Sequence, residues 1–154
     1  MTQKTQGPGK TLVDSARAAV EACAAWNARL AARRITYFLG KRMEASGLSV
    51  AQFGLMAQVA AAQDDTLGAL AVRTGLDQST LSRNLRSLER DGLVEIAATG
   101  KDLRRRAVWL TEKGARDLEA ALPIWRQAHD DLAALIDIGL PHRLADETQV
   151  LLDE

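Results

Sequence analysis

Residues 67–90 read LGALAVRTGLDQSTLSRNLRSLER. Two short helical patterns lie on either side of a glycine. Leu67, Leu70 and Ala71 stand at i, i+3 and i+4, which predicts a helix over Leu67–Thr74 with these three turned inward. Gly75 comes next, where the chain must turn tightly. Asp77 can cap a second helix, Gln78–Arg90, by accepting from a first-turn amide that has no partner inside the helix. At about 100° per residue, Leu81, Leu85 and Leu88 of that helix fall on one side. Ser79, Ser82, Arg83 and Arg86 fall on the other, with Gln78 at the border. Gly92 ends it.

The outer face of the second helix is small, hydrogen-bonding and cationic near its N-terminus. Arg can donate two bonds to guanine, Gln can pair with adenine, and Ser or Thr can bond phosphates or base edges. Reading helices present their N-terminal residues to the major groove, and the helix dipole favours phosphate there. The plainer alternative is an amphipathic surface helix with a solvated polar face. Residues 93–110 weigh against it. Leu93–Ala98 is a β-type run holding Val94 and Ile96, Thr99-Gly100-Lys101-Asp102 is a turn, and Arg105–Leu110 alternates as a second strand. This hairpin places Lys101, Arg104, Arg105 and Arg106 beside the candidate reading helix. A ribbon that small can reach a minor groove, where inserted Arg meets enhanced negative potential. Asp102 stands where it can hold the Arg104 guanidinium.

Moving outward, Leu12, Ala16, Ala19, Cys23, Trp26 and Leu30 recur at spacings of four and three, with Tyr37 continuing the stripe. This predicts one long helix over 12–45. Ser49-Val50-Ala51-Gln52 reads as a capping box opening a helix of about a dozen residues, with Phe53, Met56, Ala57 and Ala60 as its apolar face. Beyond the hairpin, Thr111 caps a long helix over 112–138. Ala115, Leu118, Leu122, Trp125, His129, Leu132 and Ile136 form a heptad seam on it. Pro123 should kink or interrupt that helix, and Gly139-Leu140-Pro141 should end it. A short amphipathic helix over 144–152 closes the chain. The fold class is mostly α with a small β-hairpin wing, a winged helix-turn-helix flanked by long helices. The two seams exceed what a small winged domain can cover and demand a partner.

The chain has 154 residues, enough for one cored domain and short for two. Its 47% hydrophobic and 26% charged content excludes extensive disorder. Residues 1–11 read as a flexible tail. The net charge is zero, which alone argues against binding nucleic acid, but the charge is unevenly spread. Residues 73–106 carry eight basic and five acidic residues, whereas 107–154 carry four basic and ten acidic ones. A basic middle fits a local DNA face. The absence of a signal peptide and of a run of about 18 apolar residues points to a cytoplasmic protein with no membrane partner. The single cysteine, Cys23, excludes an internal disulfide and a cysteine-rich zinc site, and two distant histidines do not make a metal site. With no glycine-rich phosphate loop or nucleophile elbow, the sequence points to no enzyme and needs no cofactor.

Leu67-Gly68-Ala69-Leu70-Ala71, the run Gly75-Leu76-Asp77-Gln78-Ser79-Thr80-Leu81-Ser82-Arg83, and Leu88-Glu89-Arg90-Asp91-Gly92-Leu93-Val94 together resemble the MarR family of regulators. Asp102-Leu103-Arg104 followed by Leu110-Thr111 and Gly114 matches the family's wing, and Leu48–Phe53 resembles its second helix. The likeness is close over about residues 48–114; the flanking helices match in layout only. It implies a tail at 1–11, a helical dimerisation region at 12–47 and 112–154, and a winged DNA-binding domain at 48–111. It further implies a homodimer, in which the terminal helices of two subunits intertwine and each winged domain reads half of a near-palindromic double-stranded site. Arg104 would enter the minor groove. Gln78, Ser79, Thr80, Ser82, Arg83 and Arg86 would supply groove and phosphate contacts, and Ser49 would touch phosphate.

Such regulators often answer to small aromatic or phenolic ligands, and others answer through a cysteine. Trp26, Tyr37, Phe53, Met56, Trp125 and His129 are the candidate lining of an effector pocket, although core packing explains each equally well. Cys23 is the candidate redox residue; its plainer reading is a small buried packing residue. A winged module that binds protein rather than DNA is the remaining alternative.

Overall fold

The computed structural model describes residues 8–62, 66–98 and 106–152. The chain divides into two compact units, Met1–Tyr37 and Phe38–Glu154.

Helix α1, Pro8–Ala22, is followed by α2, Ala24–Met43, so the single helix expected over 12–45 is two, broken at Cys23. The Cys23 amide reaches back only three residues, to the Val20 carbonyl at 3.4 Å. The Asn27 side-chain amide donates to the Glu21 carbonyl at 3.1 Å. A short polar side chain thus competes with the backbone for an acceptor at the end of α1. The four-residue pattern resumes when the Asn27 amide donates to the Cys23 carbonyl at 3.0 Å. Helix α1 also starts within the stretch expected as a tail. Proline is tolerated as its first residue because its missing N–H would have no partner there. Residues 1–7 of that tail lie outside the described residues.

In the second unit, α3 (Val50–Ala60), α4 (Leu67–Thr74) and α5 (Gln78–Arg90) precede β1 (Val94–Ala98) and β2 (Arg106–Leu110). Helix α3 packs on α4, β2 and α6 (Glu112–Ala133), and α5 packs on β1. Met56, Leu70, Leu85, Leu88, Val94 and Val108 are fully buried, drawn from α3, α4, α5 and both strands. The strands pair antiparallel, with Ile96 opposite Val108 on the core face and Glu95 opposite Trp109 outside. Thr66, the N-cap of α4, bridges to Ala107 and ties the first helix of the turn motif to the hairpin.

Helix α6 continues through Pro123 without interruption, losing only the bond that residue would have donated. Its buried side is Gly114, Leu118, Ala121, Ala128 and Leu132, about one position round from the expected seam. Gly114, Ala121 and Ala128 recur every seven residues on this buried side, where small side chains admit close approach, as Gly114 does to the Leu93 carbonyl. Of the seam residues, Leu118 and Leu132 are buried, Ala115, Leu122, Trp125 and His129 half-buried, and Ile136 lies exposed beyond the helix end. Gly139-Leu140-Pro141, expected to end this helix, instead opens α7, Gly139–Glu147. Pro141 sits in its first turn, where no N–H is required. Among the described residues no helix is long and apolar enough to cross a membrane.

Candidate nucleic-acid interface

Gly75 caps α4 with φ 62°, a left-handed conformation that lets the chain reverse into α5. Leu81, Leu85 and Leu88 seat α5 on the core and fix its outer face. Gln78, Ser79, Arg83 and Arg86 are exposed on that face; Thr80 and Ser82 are half-buried. The sequence-predicted reading residues of α5 thus extend from its first residue to its third turn, on the side away from the leucines.

Asp77 does more than the sequence indicated. Its carboxylate accepts from the Thr80 amide at 2.8 Å, which is the expected cap. It also accepts the Ser79 hydroxyl at 2.6 Å and the Thr80 hydroxyl at 2.7 Å. These hydroxyls, with the Thr80 amide, hold the Asp77 carboxyl well below the usual carboxylate range, so it is an anion at any working pH. Arg83 in turn donates to the Thr80 hydroxyl oxygen at 3.1 Å. The signal was present in the Asp-x-Ser-Thr spacing, which puts both hydroxyls within reach of one capping carboxylate.

Ser49 opens α3 with the expected capping box: its hydroxyl accepts from the Gln52 amide at 3.1 Å, and the Gln52 side chain accepts from the Ser49 amide at 2.9 Å. Asn84 and Ser87, which the sequence did not single out, face Ser49 and Gln52 across a cleft of about 210 Å³ between α3 and α5. Arg106 is exposed at the base of the wing, opposite Ala98. Lys101, Asp102, Arg104 and Arg105 lie outside the described residues.

The root of the wing is fixed from below. Thr111 donates its hydroxyl to the Gly92 carbonyl at 2.7 Å and its amide to the Leu93 carbonyl at 3.1 Å. A methyl group on Gly114 would collide with that same Leu93 carbonyl, so the first turn of α6 can lie this close to the wing root only with a glycine there.

The candidate effector residues divide between the two units. Phe53 and Trp125 stack at 5.7 Å between centroids and 16° between planes. His129 tilts on Trp125 at 4.0 Å. His129 Nδ1 lies 3.0 Å from the Trp125 carbonyl, and since a carbonyl only accepts, that nitrogen carries the proton. Phe53 and Met56 are buried and Trp125 and His129 half-buried, so within this unit these side chains fill space. Trp26 and Tyr37 belong to the first unit and are mostly exposed. A cleft of about 430 Å³ opens on a neighbouring face of α6, lined by Arg42, Pro123, Ile124, Gln127, Ala128 and Asp131. Cys23 is exposed in the single chain, as are residues 11–29 on either side of it, rather than packed as its plainer reading expected. Among the described residues no three potential ligands gather to hold a metal.

A profile of the MarR family matches residues 46–105, from just before α3 to the residue before β2. The transcriptional regulator MosR of M. tuberculosis, solved in complex with DNA, is 32% identical, with a TM-score of 0.76 over 85% of this chain and 97% of that one. A second MosR structure gives 29% identity and a TM-score of 0.73 over 88% and 99% of the two chains. MepR of S. aureus, also solved with DNA, shares the fold at 20% identity and a TM-score of 0.67 over 84% and 96%. No curated protein sequence matches. The profile and the near-complete overlap with a relative above 30% identity place the chain in the MarR family of transcriptional regulators.

Proposed function

We propose that this chain is a cytoplasmic repressor that binds near-palindromic operator DNA as a homodimer and leaves it when a small aromatic or phenolic effector binds. The observation that carries the reading is α5: a buried leucine side, and an exposed N-terminal face with Gln78, Ser79, Arg83 and Arg86 turned to solvent together. In this reading residues 48–111 read DNA, α5 from the major groove and the arginines of 104–106 from the minor groove. Ser49, at the start of α3, contacts phosphate through its helix end. Residues 12–47 and 112–154 join the two subunits. The DNA complex of MosR supports the assignment. Repression is the simplest outcome because a dimer straddling a promoter excludes polymerase by occupancy.

The test is fluorescence anisotropy of the purified protein on the DNA upstream of its own coding region, from low to high salt. Saturable, sequence-selective binding with a steep salt slope is expected. Equal weak binding to scrambled DNA, with no site enriched from random sequence, would sink the reading in favour of a protein-binding winged module.

A second reading of the release step has its own observation. Cys23 is exposed at the α1–α2 break in the single chain, and a thiol there that the second subunit leaves uncovered is open to an oxidant. If oxidation releases DNA, peroxide lowers operator affinity of the wild type and leaves Cys23→Ser unchanged. Equal response of both proteins removes that reading and leaves the small-molecule effector.

A further inference from the structure

This inference rests on the proposed DNA-reading role of α5. A helix cap needs one acceptor for one orphan amide, and the Thr80 amide already fills that need at Asp77. The two further bonds, from the Ser79 and Thr80 hydroxyls at 2.6 and 2.7 Å, are not required to start the helix. They consume the only proton each hydroxyl has. What Ser79 then shows to solvent is lone pairs alone. Thr80 keeps one lone pair for Arg83, whose guanidinium donates to it at 3.1 Å. The chain Arg83 to Thr80 to Asp77 is polarised in one direction, each member strengthening the next.

A free serine hydroxyl is an ambiguous reader, since it can donate to or accept from a base edge. In the major groove, cytosine and adenine offer an amino group, while guanine and thymine offer acceptors. We propose that Asp77 is a specificity-determining positioning residue: by taking the Ser79 hydroxyl proton it makes Ser79 an acceptor only, which selects cytosine or adenine over guanine or thymine on the strand that Ser79 faces. Through Thr80 it also tethers Arg83 beside that position, with the remaining guanidinium donors free for a neighbouring guanine. The same anion, at the tip of the reading helix, weakens attachment to sequences that offer only phosphate.

The experiment is random-sequence selection with wild type, Ser79→Ala, Asp77→Ser and the double variant. Competition binding on single-base variants of the selected half-site comes next. Serine is as good an N-cap as aspartate, so Asp77→Ser keeps the helix start and removes the carboxylate; a thermal melt checks that it folds. The wild type is expected to hold one position to cytosine or adenine. Asp77→Ser should relax that position at least fivefold, with scrambled-DNA binding equal or tighter. Ser79→Ala should relax the same position, and the double variant should add nothing further. An Asp77→Ser protein that keeps the preference overturns the proposal. A loss that is uniform over all sequences overturns it too, since that is what a cap alone would do. A wild type that enriches no sequence would instead bring down the DNA reading itself, and this inference with it.

Discussion

Two residues carry functions that their neighbours cannot take over. Gly114 has no room for a side chain, because the Leu93 carbonyl occupies the place of a methyl. Gly114→Ala must push the first turn of α6 away from the wing root, and overpacking of this kind costs about 1–3 kcal/mol, occasionally more. Urea unfolding should show that loss, with a lowered midpoint and an unchanged slope; a midpoint equal to wild type would mean that α6 shifts freely. Arg83 is held at one end by Thr80 and has four further N–H donors for a partner. In the proposed complex, Arg83→Ala should cost roughly 1–3 kcal/mol on the selected site and much less on scrambled DNA. Anisotropy on both DNAs separates base reading from phosphate contact, since loss of a phosphate contact weakens both alike.

At the scale of elements, the winged segment is largely legible in the sequence and the flanking helices are not. The segment from α3 to β2 repeats strong local signals: a capping box, a left-handed glycine, a capping aspartate and an alternating hairpin. Each is decided within a few residues, and each appears where the residues put it. At the break at Cys23 the Asn27 side chain takes the Glu21 carbonyl, a local contact that periodicity cannot register. The buried side of α6 is chosen by small residues that admit close approach, whereas the sequence stripe of large residues pointed one position away. In the interface, residue types are legible but the direction of the Ser79 and Thr80 hydroxyls is not, because that is set by Asp77. Stability should respond at two places in these elements. Leu85 is 1% exposed on the buried side of α5, so Leu85→Ala should lower unfolding stability by about 2–5 kcal/mol; a smaller loss by chemical denaturation would mean that the core collapses around the gap. Helix α6 is tied to the end of α2 by Arg42 and Asp131 at 2.9 Å. Gln127 first, then Arg42, lowers the Asp131 carboxyl below its usual value. A lowered value means stabilisation that is complete above the unfolded carboxylate range, near pH 3.9, and fades as pH falls through the folded value. Asp131→Asn should therefore flatten the acid limb of the stability curve below about pH 4 and leave the range from about 5 to 8 parallel to wild type.

At the scale of the molecule, many large apolar residues remain exposed in the single chain, and the proposed homodimer gives them a partner. Trp26 is 57% exposed in α2, and Leu12, Val13 and Val20 are exposed in α1. Leu135, Ile136, Ile138, Leu140 and Leu144 are exposed in the turn after α6 and in α7. Isolated surface leucines need no explanation, whereas runs of them are what the proposed pairing of two chains would use. The terminal regions carry this surface, and they are the parts for which the winged segment has no use. A two-fold dimer would cover both sets at once, because each copy brings the same patches. It would also set two reading helices about one DNA turn apart, the spacing a near-palindrome requires. Light scattering at micromolar concentration should therefore give twice the mass of one chain. Leu140→Asp, placed in the exposed patch and clear of α5, should shift that mass toward a single chain while the winged segment stays folded. On a full operator it should also weaken binding far more than on a half-site, since one tethered reader loses its partner. A wild-type protein that remains a single chain, or a Leu140→Asp protein that loses affinity for half-site and full site equally, would show that these residues serve something other than the pairing of two readers.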